Sequence, residues 1–105
     1  MARRRKQATV SFNQKAVFSD GAILQIRIVV VPEPVVGSRH WFKYALFYGR
    51  KGERQVLYDN ERLKGDHRHF GHIEEPYQFT TIEQLMRDFL NDIRAIRAKA
   101  NGEPE

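Results

Sequence analysis

Three of the chain's four histidines fall within six positions, at His67, His69 and His72, in a stretch that reads KGDHRHFGH from Lys64 onwards. An imidazole titrates near neutral pH, so two of them close together can supply a general base and a general acid. The neighbouring cations Lys64 and Arg68 suit a phosphate, because they can hold the negative charge that the proton transfers displace. The pattern therefore predicts acid–base chemistry on a phosphodiester.

Metal-independent cleavage of RNA is the first interpretation of this segment. One imidazole would take the proton of a ribose 2′-hydroxyl, whose oxygen attacks the adjacent phosphate, and the other would protonate the leaving 5′-oxygen. In an extended segment His67 and His69 project from the same face. Arg68 would then point the opposite way, towards packing or an ion pair, which weakens it as a phosphate ligand.

The candidate residues divide by role. The catalytic candidates are His67, His69, Lys64 and Asp66. The candidates for binding phosphate or RNA are Arg68, Lys64, His72, Tyr58 and Tyr77. Asp66 would orient an imidazole or shape the turn after Gly65. Asp59, Asn60 and Gly65 are expected to be structural, since Asp and Asn side chains can bond their own backbone and so end the preceding strand.

Two alternatives compete with RNA cleavage. The three clustered histidines could ligate a divalent metal, with Asp66 or Glu74 in support. The cations Lys64 and Arg68 would repel such an ion, so no metal and no other cofactor is predicted. In the other alternative nothing reacts, and the basic residues grip a phosphate backbone or an acidic partner protein.

Composition limits the classes of protein that fit. The chain has 105 residues, 41% of them hydrophobic, which suits one domain with its own core. It has no cysteine, so disulfides and thiolate metal sites are excluded, and a reducing cytoplasm is the predicted location. The longest apolar run, residues 28–32, is too short to cross a membrane, and the basic residues 3–6 lack the apolar stretch of a signal peptide.

The net charge of +5 is unevenly distributed along the chain. Residues 1–6 hold four basic residues and no acid, and residues 39–72 hold eight Lys or Arg against four Asp or Glu. Residues 73–105 hold seven acids against four bases. The N-terminus and the middle of the chain are therefore the expected surface for an anionic partner, and nucleic acid fits this distribution best.

The elements that must position the histidines begin with a run of strands. We predict strands over residues 8–18, 22–31, 41–48 and 54–58, because apolar and β-branched residues alternate there between turn sequences. The short connections permit only antiparallel pairing. Residues 59–75, which carry the histidines, are expected to form a loop between the last strand and a helix.

A C-terminal helix is predicted to cover one face of this sheet. Thr80 and Glu83 would form its capping box, and Asn101-Gly102 would end it. Its apolar stripe consists of Ile82, Leu85, Met86, Phe89, Ile93 and Ile96. The predicted fold class is α+β, an antiparallel meander of about four strands packed against one long C-terminal helix. Residues 1–7 would be a disordered basic arm, 8–100 the single domain and 101–105 a flexible tail.

Two further features lie before the histidine segment. His40, beside Trp41, is expected to be a strand-edge residue rather than a catalyst. A set of aromatic side chains could stack RNA bases on an exposed sheet face, although at least half are expected in the core. They are Trp41, Phe42, Tyr44, Phe47 and Tyr48.

The motifs YDN at residues 58–60, KGDHRH at 64–69 and EPYQF at 75–79, followed by a helix with Leu85 and Phe89, resemble the TumE family. The similarity covers about residues 41–97. Members are small bacterial proteins described as the toxin component of type II toxin–antitoxin systems. The resemblance implies a helix-turn-helix antitoxin from a neighbouring gene as partner, and an attack on RNA or on translation. The residues that carry it are Tyr58, Asp59, Asn60, Lys64, Gly65, Asp66, His67, Arg68 and His69.

The residues and the resemblance together predict a growth-inhibiting toxin that acts as a metal-independent endoribonuclease. Its predicted partners are RNA and the antitoxin, with the ribosome and a second copy of the chain as further candidates, and no membrane. The alternative is a non-enzymatic nucleic-acid- or protein-binding module that uses the same basic, histidine-rich segment.

Overall fold

The computed structural model describes residues 10–100 as one six-stranded antiparallel sheet and one helix. The strands lie side by side in chain order, as a meander, and the helix packs across one face of the sheet. The elements are β1 (Val10–Val17), β2 (Ile23–Val30), β3 (Phe42–Arg50), β4 (Glu53–Glu61), β5 (Gly65–Phe70), β6 (Ile73–Pro76) and α1 (Ile82–Ala100). The predicted α+β class is confirmed, with six strands where about four were expected.

The core lies between α1 and the middle of the sheet. Leu85, Phe89 and Ile93 of the predicted helical stripe are buried, against a set of buried strand residues. Those are Ala22, Ile26, Tyr44, Leu46, Tyr48, Val56 and Tyr58. Burying each large apolar side chain contributes about 1.5–3 kcal/mol, so this layer is the main source of stability. It fixes which face of every strand turns inwards.

The alternation of side chains divides the sheet into two faces. The helix-covered face of β5 carries Asp66, Arg68 and Phe70. Their register partners on β4 are the buried residues Asn60, Tyr58 and Val56. The opposite side, here called the open face, carries His67 and His69 on β5. Other open-face residues on the neighbouring strands are Arg27, Lys43, Phe47, Leu57 and Asp59.

The segment predicted as a loop over residues 59–75 is largely strand. β4 runs on to Glu61, and Gly65–Phe70 and Ile73–Pro76 form β5 and β6. The prediction was wrong because the inward positions Asp66 and Arg68 are charged, so the usual apolar alternation of a strand is missing. Partners from distant parts of the chain compensate those charges.

The helix starts one residue later than expected. Thr81, not Thr80, is the N-cap: its hydroxyl accepts a hydrogen bond from the amide of Gln84 at 3.0 Å. Gln84 stands in the third helical position that a capping box requires. The predicted arm (1–7), the tail (101–105) and the helix stop at Asn101-Gly102 lie outside the described residues. Within residues 10–100, no helix is long and apolar enough to span a membrane.

Candidate functional site

Arg68 lies at the centre of an ion-pair network on the helix-covered face. Its Nε and Nη2 donate to the two carboxylate oxygens of Asp92 at 2.8 and 2.9 Å, and its Nη1 donates to Glu75 at 2.5 Å. The Tyr58 hydroxyl donates to Asp92 at 2.6 Å and accepts from Arg68 Nε at 2.9 Å. These acceptors, led by Asp92, raise the pKa of Arg68 above its usual range.

This network engages two residues of the predicted RNA-binding set. Each nitrogen of the Arg68 guanidinium donates to a partner within the fold, which holds the side chain against Asp92 and Glu75. Tyr58 is only 1% exposed and belongs to the core. Burial, reinforced by Asp92, raises the pKa of its hydroxyl, which therefore stays neutral as a donor.

Asp66 is the centre of a second network at the end of the same face. Its Oδ1 accepts from the Ser38 hydroxyl at 2.6 Å, and its Oδ2 accepts from the Tyr44 hydroxyl at 2.6 Å and from His40 Nε2 at 2.7 Å. The Asp66 side chain is only 8% exposed. The imidazole that Asp66 contacts belongs to His40 and not to His67 or His69.

The ring of His40 is held on both nitrogens. The backbone amide of Phe42 donates to Nδ1 at 3.2 Å, which assigns the ring proton to Nε2 and directs it at Asp66. The ring also stacks on Phe79 with centroids 3.9 Å apart. Neither nitrogen is free to exchange a proton with a ligand, so His40 and Asp66 form a structural pair in this arrangement.

Asn60 links β4 to β3 one position beyond the end of their ladder, whose terminal pair is Ala45 and Asp59. Its Oδ1 accepts from the Tyr44 amide at 3.0 Å, and its Nδ2 donates to the Phe42 carbonyl at 2.7 Å. The side chain is fully buried. Asn60 thus bonds the backbone of the neighbouring strand, and not its own backbone as the sequence analysis expected.

Gly65 is required by a close approach of two backbones. It has φ of +75°, and a Cβ at this position would lie 2.7 Å from the carbonyl oxygen of Gly37. The loop before β3 therefore presses directly on the turn that opens β5. A hydrogen bond of 2.6 Å from the Leu63 amide to the Val36 carbonyl fixes the same contact.

His67 and Asp59 face each other across two strands on the open face. Directly opposed residues of an antiparallel pair have Cβ atoms about 4.5–5.5 Å apart. His67 Nε2 donates to the Lys64 carbonyl at 2.7 Å, so the ring proton lies there. Its Nδ1 is buried and has no partner among the described residues. An unpaired buried acceptor costs about 1–3 kcal/mol.

Asp59 lies inside β4 instead of ending it, so the structural role predicted for it is wrong. Partial burial and then Glu61 raise the pKa of its carboxyl, while His69, Lys43 and His67 act in the opposite direction. The carboxylate has no hydrogen bond or ion pair within residues 10–100. Asp59 is thus a destabilised charge between two histidines.

His69 lies next to His67 on the open face and pairs in register with Glu74. Its Nε2 is 3.5 Å from the Glu74 carboxylate, and its side chain is 13% exposed. Alternate residues of a strand are about 6.5–7 Å apart, within reach of one substrate phosphate. Lys43, on the same face, donates its amino group to the carbonyl of Asn60.

The remaining predicted residues are more widely spread. His72 is exposed in the turn after β5, at the far end of the strand from Lys64, roughly 20 Å away for six extended residues. Tyr77 packs edge-on against Tyr58, and its hydroxyl donates to Asp88 at 2.5 Å. Burial, and then Asp88, raise the pKa of the Tyr77 hydroxyl. Within residues 10–100, no three His, Asp or Glu side chains converge to hold a metal ion.

The sequence interpretation missed the partners of the motif. Ser38 and His40 are more than 25 positions from Asp66, and no local pattern connects them. Asp92 offered a usable signal. It stands four residues after Asp88 and borders the apolar stripe of the helix, where an acid needs a cation or hydroxyl from the sheet.

Comparison with known proteins gives one informative match. A family model described as Toxin TumE matches residues 2–97, which extends the resemblance over the N-terminal strands as well. No curated protein and no solved structure gives a significant match. The family match spans most of the 105 residues and supports a toxin role. The motif that holds His67 and His69 on one face and Asp66 and Arg68 on the other is thus set in a chain that belongs to the TumE toxin family.

Proposed function

We propose that this toxin cleaves RNA without a metal ion, and that Asp59, His67 and His69 on the open face carry the reaction. The observation behind the proposal is the division of the motif between the two faces. Asn60, Asp66 and Arg68 are bonded to other elements of the fold. Asp59, His67 and His69 lie on the open face of β4 and β5.

In the proposed reaction His67 is the general base. Its Nδ1 has an unused lone pair, because the ring proton is on Nε2. After a small ring rotation, Nδ1 takes the proton of a ribose 2′-hydroxyl, and that oxygen attacks the adjacent phosphorus. Asp59, directly opposite, stabilises the imidazolium that forms.

His69 is the proposed general acid. It lies beside the Glu74 carboxylate, which can balance the charge of an imidazolium. As the bond between phosphorus and the 5′-oxygen breaks, His69 gives its proton to that oxygen. The products are a 2′,3′-cyclic phosphate and a 5′-hydroxyl end. The proposed sources of amino donors that stabilise the charge on the phosphate are Lys43, on the same face, and Lys64, whose backbone carbonyl bonds His67.

The test is cleavage of total RNA by the purified protein in EDTA, with and without ribosomes. The wild type should yield 2′,3′-cyclic phosphate ends, and the double variant His67→Ala/His69→Ala should yield none. His72→Ala is the matched control and should cleave normally, because His72 lies at the other end of β5. Equal cleavage by wild type and double variant would contradict the assignment. So would a lack of cleavage by any of the three when ribosomes are present.

The proposed partner in the cell is a helix-turn-helix antitoxin encoded beside the toxin gene. Induced expression of the toxin alone should arrest growth, and co-expression of the neighbouring gene should restore it. The double histidine variant should be harmless in both conditions. Growth arrest by that variant would separate toxicity from the proposed chemistry.

A non-enzymatic nucleic-acid-binding module is the second candidate function. It is favoured by the cations on the open face of β1–β3, where Lys15, Arg27 and Lys43 lie on the same side of the sheet as Phe47. Such a surface can hold a phosphate backbone and stack a base. This candidate predicts RNA binding that weakens with salt and is unchanged in His67→Ala/His69→Ala.

A further inference from the structure

A polar groove of about 420 Å³ lies where the loop before β3 meets the start of β5 and the segment after β6. Its volume is within the usual range for small-molecule sites. Two contacts join it to the proposed reaction centre. Lys64 lines the groove and its carbonyl binds His67, and Pro76 lines the groove and pairs in register with His67.

The groove is built by buried structure and not by a chance arrangement of surface side chains. Gly37 and Gly65 bring its two backbone walls together, since a Cβ on either would lie within 3 Å of the other residue. Ser38, Tyr44 and His40 all donate to Asp66 at its base. The oxygens of that carboxylate are therefore already occupied and do not compete for a donor on a ligand.

Two cations line the groove without a partner. Arg39 and Lys64 are both exposed, and neither side chain forms an ion pair within residues 10–100. Arg50, Arg68 and Arg97, by contrast, are each paired with a carboxylate. Unpaired cations on a preformed groove are what an anionic ligand requires.

The groove also has an aromatic lining and an amide. The rings of His40 and Phe79 stack on each other with centroids 3.9 Å apart, and both residues line the groove together with Gln78. Aromatic side chains can contact a base, and an amide can both donate to and accept from its edge. Cations, an aromatic lining and an amide together match a nucleotide rather than a simple anion.

We propose that this groove is a second subsite for single-stranded RNA, in which Arg39 and Lys64 bind the phosphate next to the one that reacts at His67 and His69. The proposal rests on the proposed function in taking RNA as the ligand. The bound RNA runs from the groove past Lys64 and Pro76 to the open face. Arg39 is therefore assigned to substrate binding, and Lys64 serves both subsites.

The test measures binding independently of cleavage. A fluorescent single-stranded 2′-O-methyl oligonucleotide cannot be cut by 2′-hydroxyl attack, so its affinity is measured without cleavage, and the groove variants isolate the contribution of the groove. Each phosphate contact to a single strand contributes about 0.7 to the slope of log affinity against log salt. The double variant Arg39→Gln/Lys64→Gln should therefore lower the slope by about 1.4 and weaken binding roughly tenfold near 0.15 M salt.

The matched control is Lys51→Gln/Arg94→Gln, which removes the same charge from exposed positions outside the groove. It should change the slope by much less than the groove variant. Arg39→Lys/Lys64→Arg keeps both charges and should bind as the wild type does. Equal losses in the groove and control variants would overturn the subsite, as would a wild type that does not bind the oligonucleotide.

The two proposals fail in different ways. A protein that binds through the groove but never cleaves RNA retains the subsite and loses the proposed reaction. A protein that cleaves RNA, but whose affinity is equally reduced by the groove and control variants, retains the reaction and loses the subsite.

Discussion

The two faces of β5 use similar side chains in opposite ways. On the helix-covered face, Asp66 and Arg68 are held by donors and acceptors from β3, β4, β6 and α1. On the open face, His67 bonds the carbonyl of Lys64, and His69 Nε2 lies 3.5 Å from the carboxylate of Glu74. A contiguous motif thus sends alternate side chains to the helix-covered face and to the open face, because a strand alternates its side chains.

The two faces also differ in what the loss of a side chain should do. On the helix-covered face, each charge is tolerated only because its partner is in place, so the loss of one partner leaves the other buried and unpaired. On the open face, His67 bonds a backbone carbonyl and His69 lies near a half-exposed carboxylate, so the removal of either leaves no buried ion-pair partner behind. Variants of the two faces should therefore lose different properties, stability on one and activity on the other.

Loss of activity on the open face is the largest effect we expect. His67→Ala and His69→Ala should each lower kcat/KM for RNA cleavage by about 10²–10⁴, the usual contribution of general acid–base catalysis. Residues that act as a unit are not additive, so the double variant should cleave little more slowly than the worse single variant. Initial rates on a defined oligoribonucleotide measure this.

Thermal melting supplies the control for these histidine variants. Because His69 is only 13% exposed and the Nδ1 of His67 is buried, each variant should change the free energy of unfolding by about 1 kcal/mol, less than Asp92→Ala does. A melting temperature that falls in step with activity would place the histidines in the scaffold and remove the contrast between the faces.

Loss of stability on the helix-covered face is the next largest effect. Asp92→Ala removes the two-oxygen partner of Arg68 and an acceptor of Tyr58. We expect it to cost about 2–3 kcal/mol, somewhat less than a fully buried pair because Arg68 is 24% exposed. Urea unfolding measures the change, and cleavage per folded molecule should be unchanged.

A double variant tests whether the cost comes from the unpaired cation. Arg68→Met/Asp92→Leu replaces both charges with apolar side chains, which is often neutral for a buried pair. It should recover part of the stability lost in Asp92→Ala, because it removes the unpaired cation but leaves the buried Tyr58 hydroxyl without its two partners. A double variant that is less stable than Asp92→Ala would show that the ion pair itself stabilises the fold. The cost of Asp92→Ala would then not come from the unpaired Arg68.

The fold was largely predictable because its signals are local. The alternation of apolar residues in β2 and β3 and the helical stripe from Ile82 to Ile96 each lie within one element. β5 and β6 were missed because Asp66 and Arg68 occupy inward positions that normally hold apolar residues. The burial of those charges depends on contacts between elements, which no local pattern records.

The candidate site was predictable in part for the same reason. The shared face of His67 and His69, and the opposite direction of Arg68, followed from the period of a strand. The environment of Asp59 did not follow from the sequence, because it is set by His67 across the ladder and by Lys43 on the next strand. Register between strands joins residues that sequence spacing leaves apart.

Gly65→Ala should give a moderate loss of stability through the close contact of Gly65 with Gly37. A left-handed φ costs a non-glycine residue about 1 kcal/mol, and the added Cβ would also lie 2.7 Å from the Gly37 carbonyl oxygen. Gly52→Ala is the matched control, with φ of +78° and nothing within 4 Å of its Cβ. We expect Gly65→Ala to cost roughly twice as much as Gly52→Ala in chemical denaturation. Equal costs would mean that the loop before β3 can move away freely.

Asp59→Asn should give the smallest change, and its sign is opposite to the others. Because the folded protein raises the pKa of Asp59, ionisation of this carboxyl destabilises the fold. The contribution of Asp59 to stability is complete below the unfolded pKa of about 3.9 and is lost as pH rises through the higher folded value. At pH 7 the asparagine variant should therefore be more stable than the wild type by roughly 0.5 kcal/mol, and the difference should vanish near pH 3.5.

Asp20→Asn is the control of opposite sign for Asp59→Asn. Asp20 is exposed, and its pKa is lowered, first by a hydrogen bond from the Ala22 amide and then, against some desolvation, by Arg97 and Arg50. Its ionised form stabilises the fold, so the variant should lose stability at pH 7. A gain in stability with a loss of cleavage in Asp59→Asn would show that this charge is retained for function at a cost to the fold. A loss of stability at pH 7 would instead place Asp59 with the paired residues of the helix-covered face.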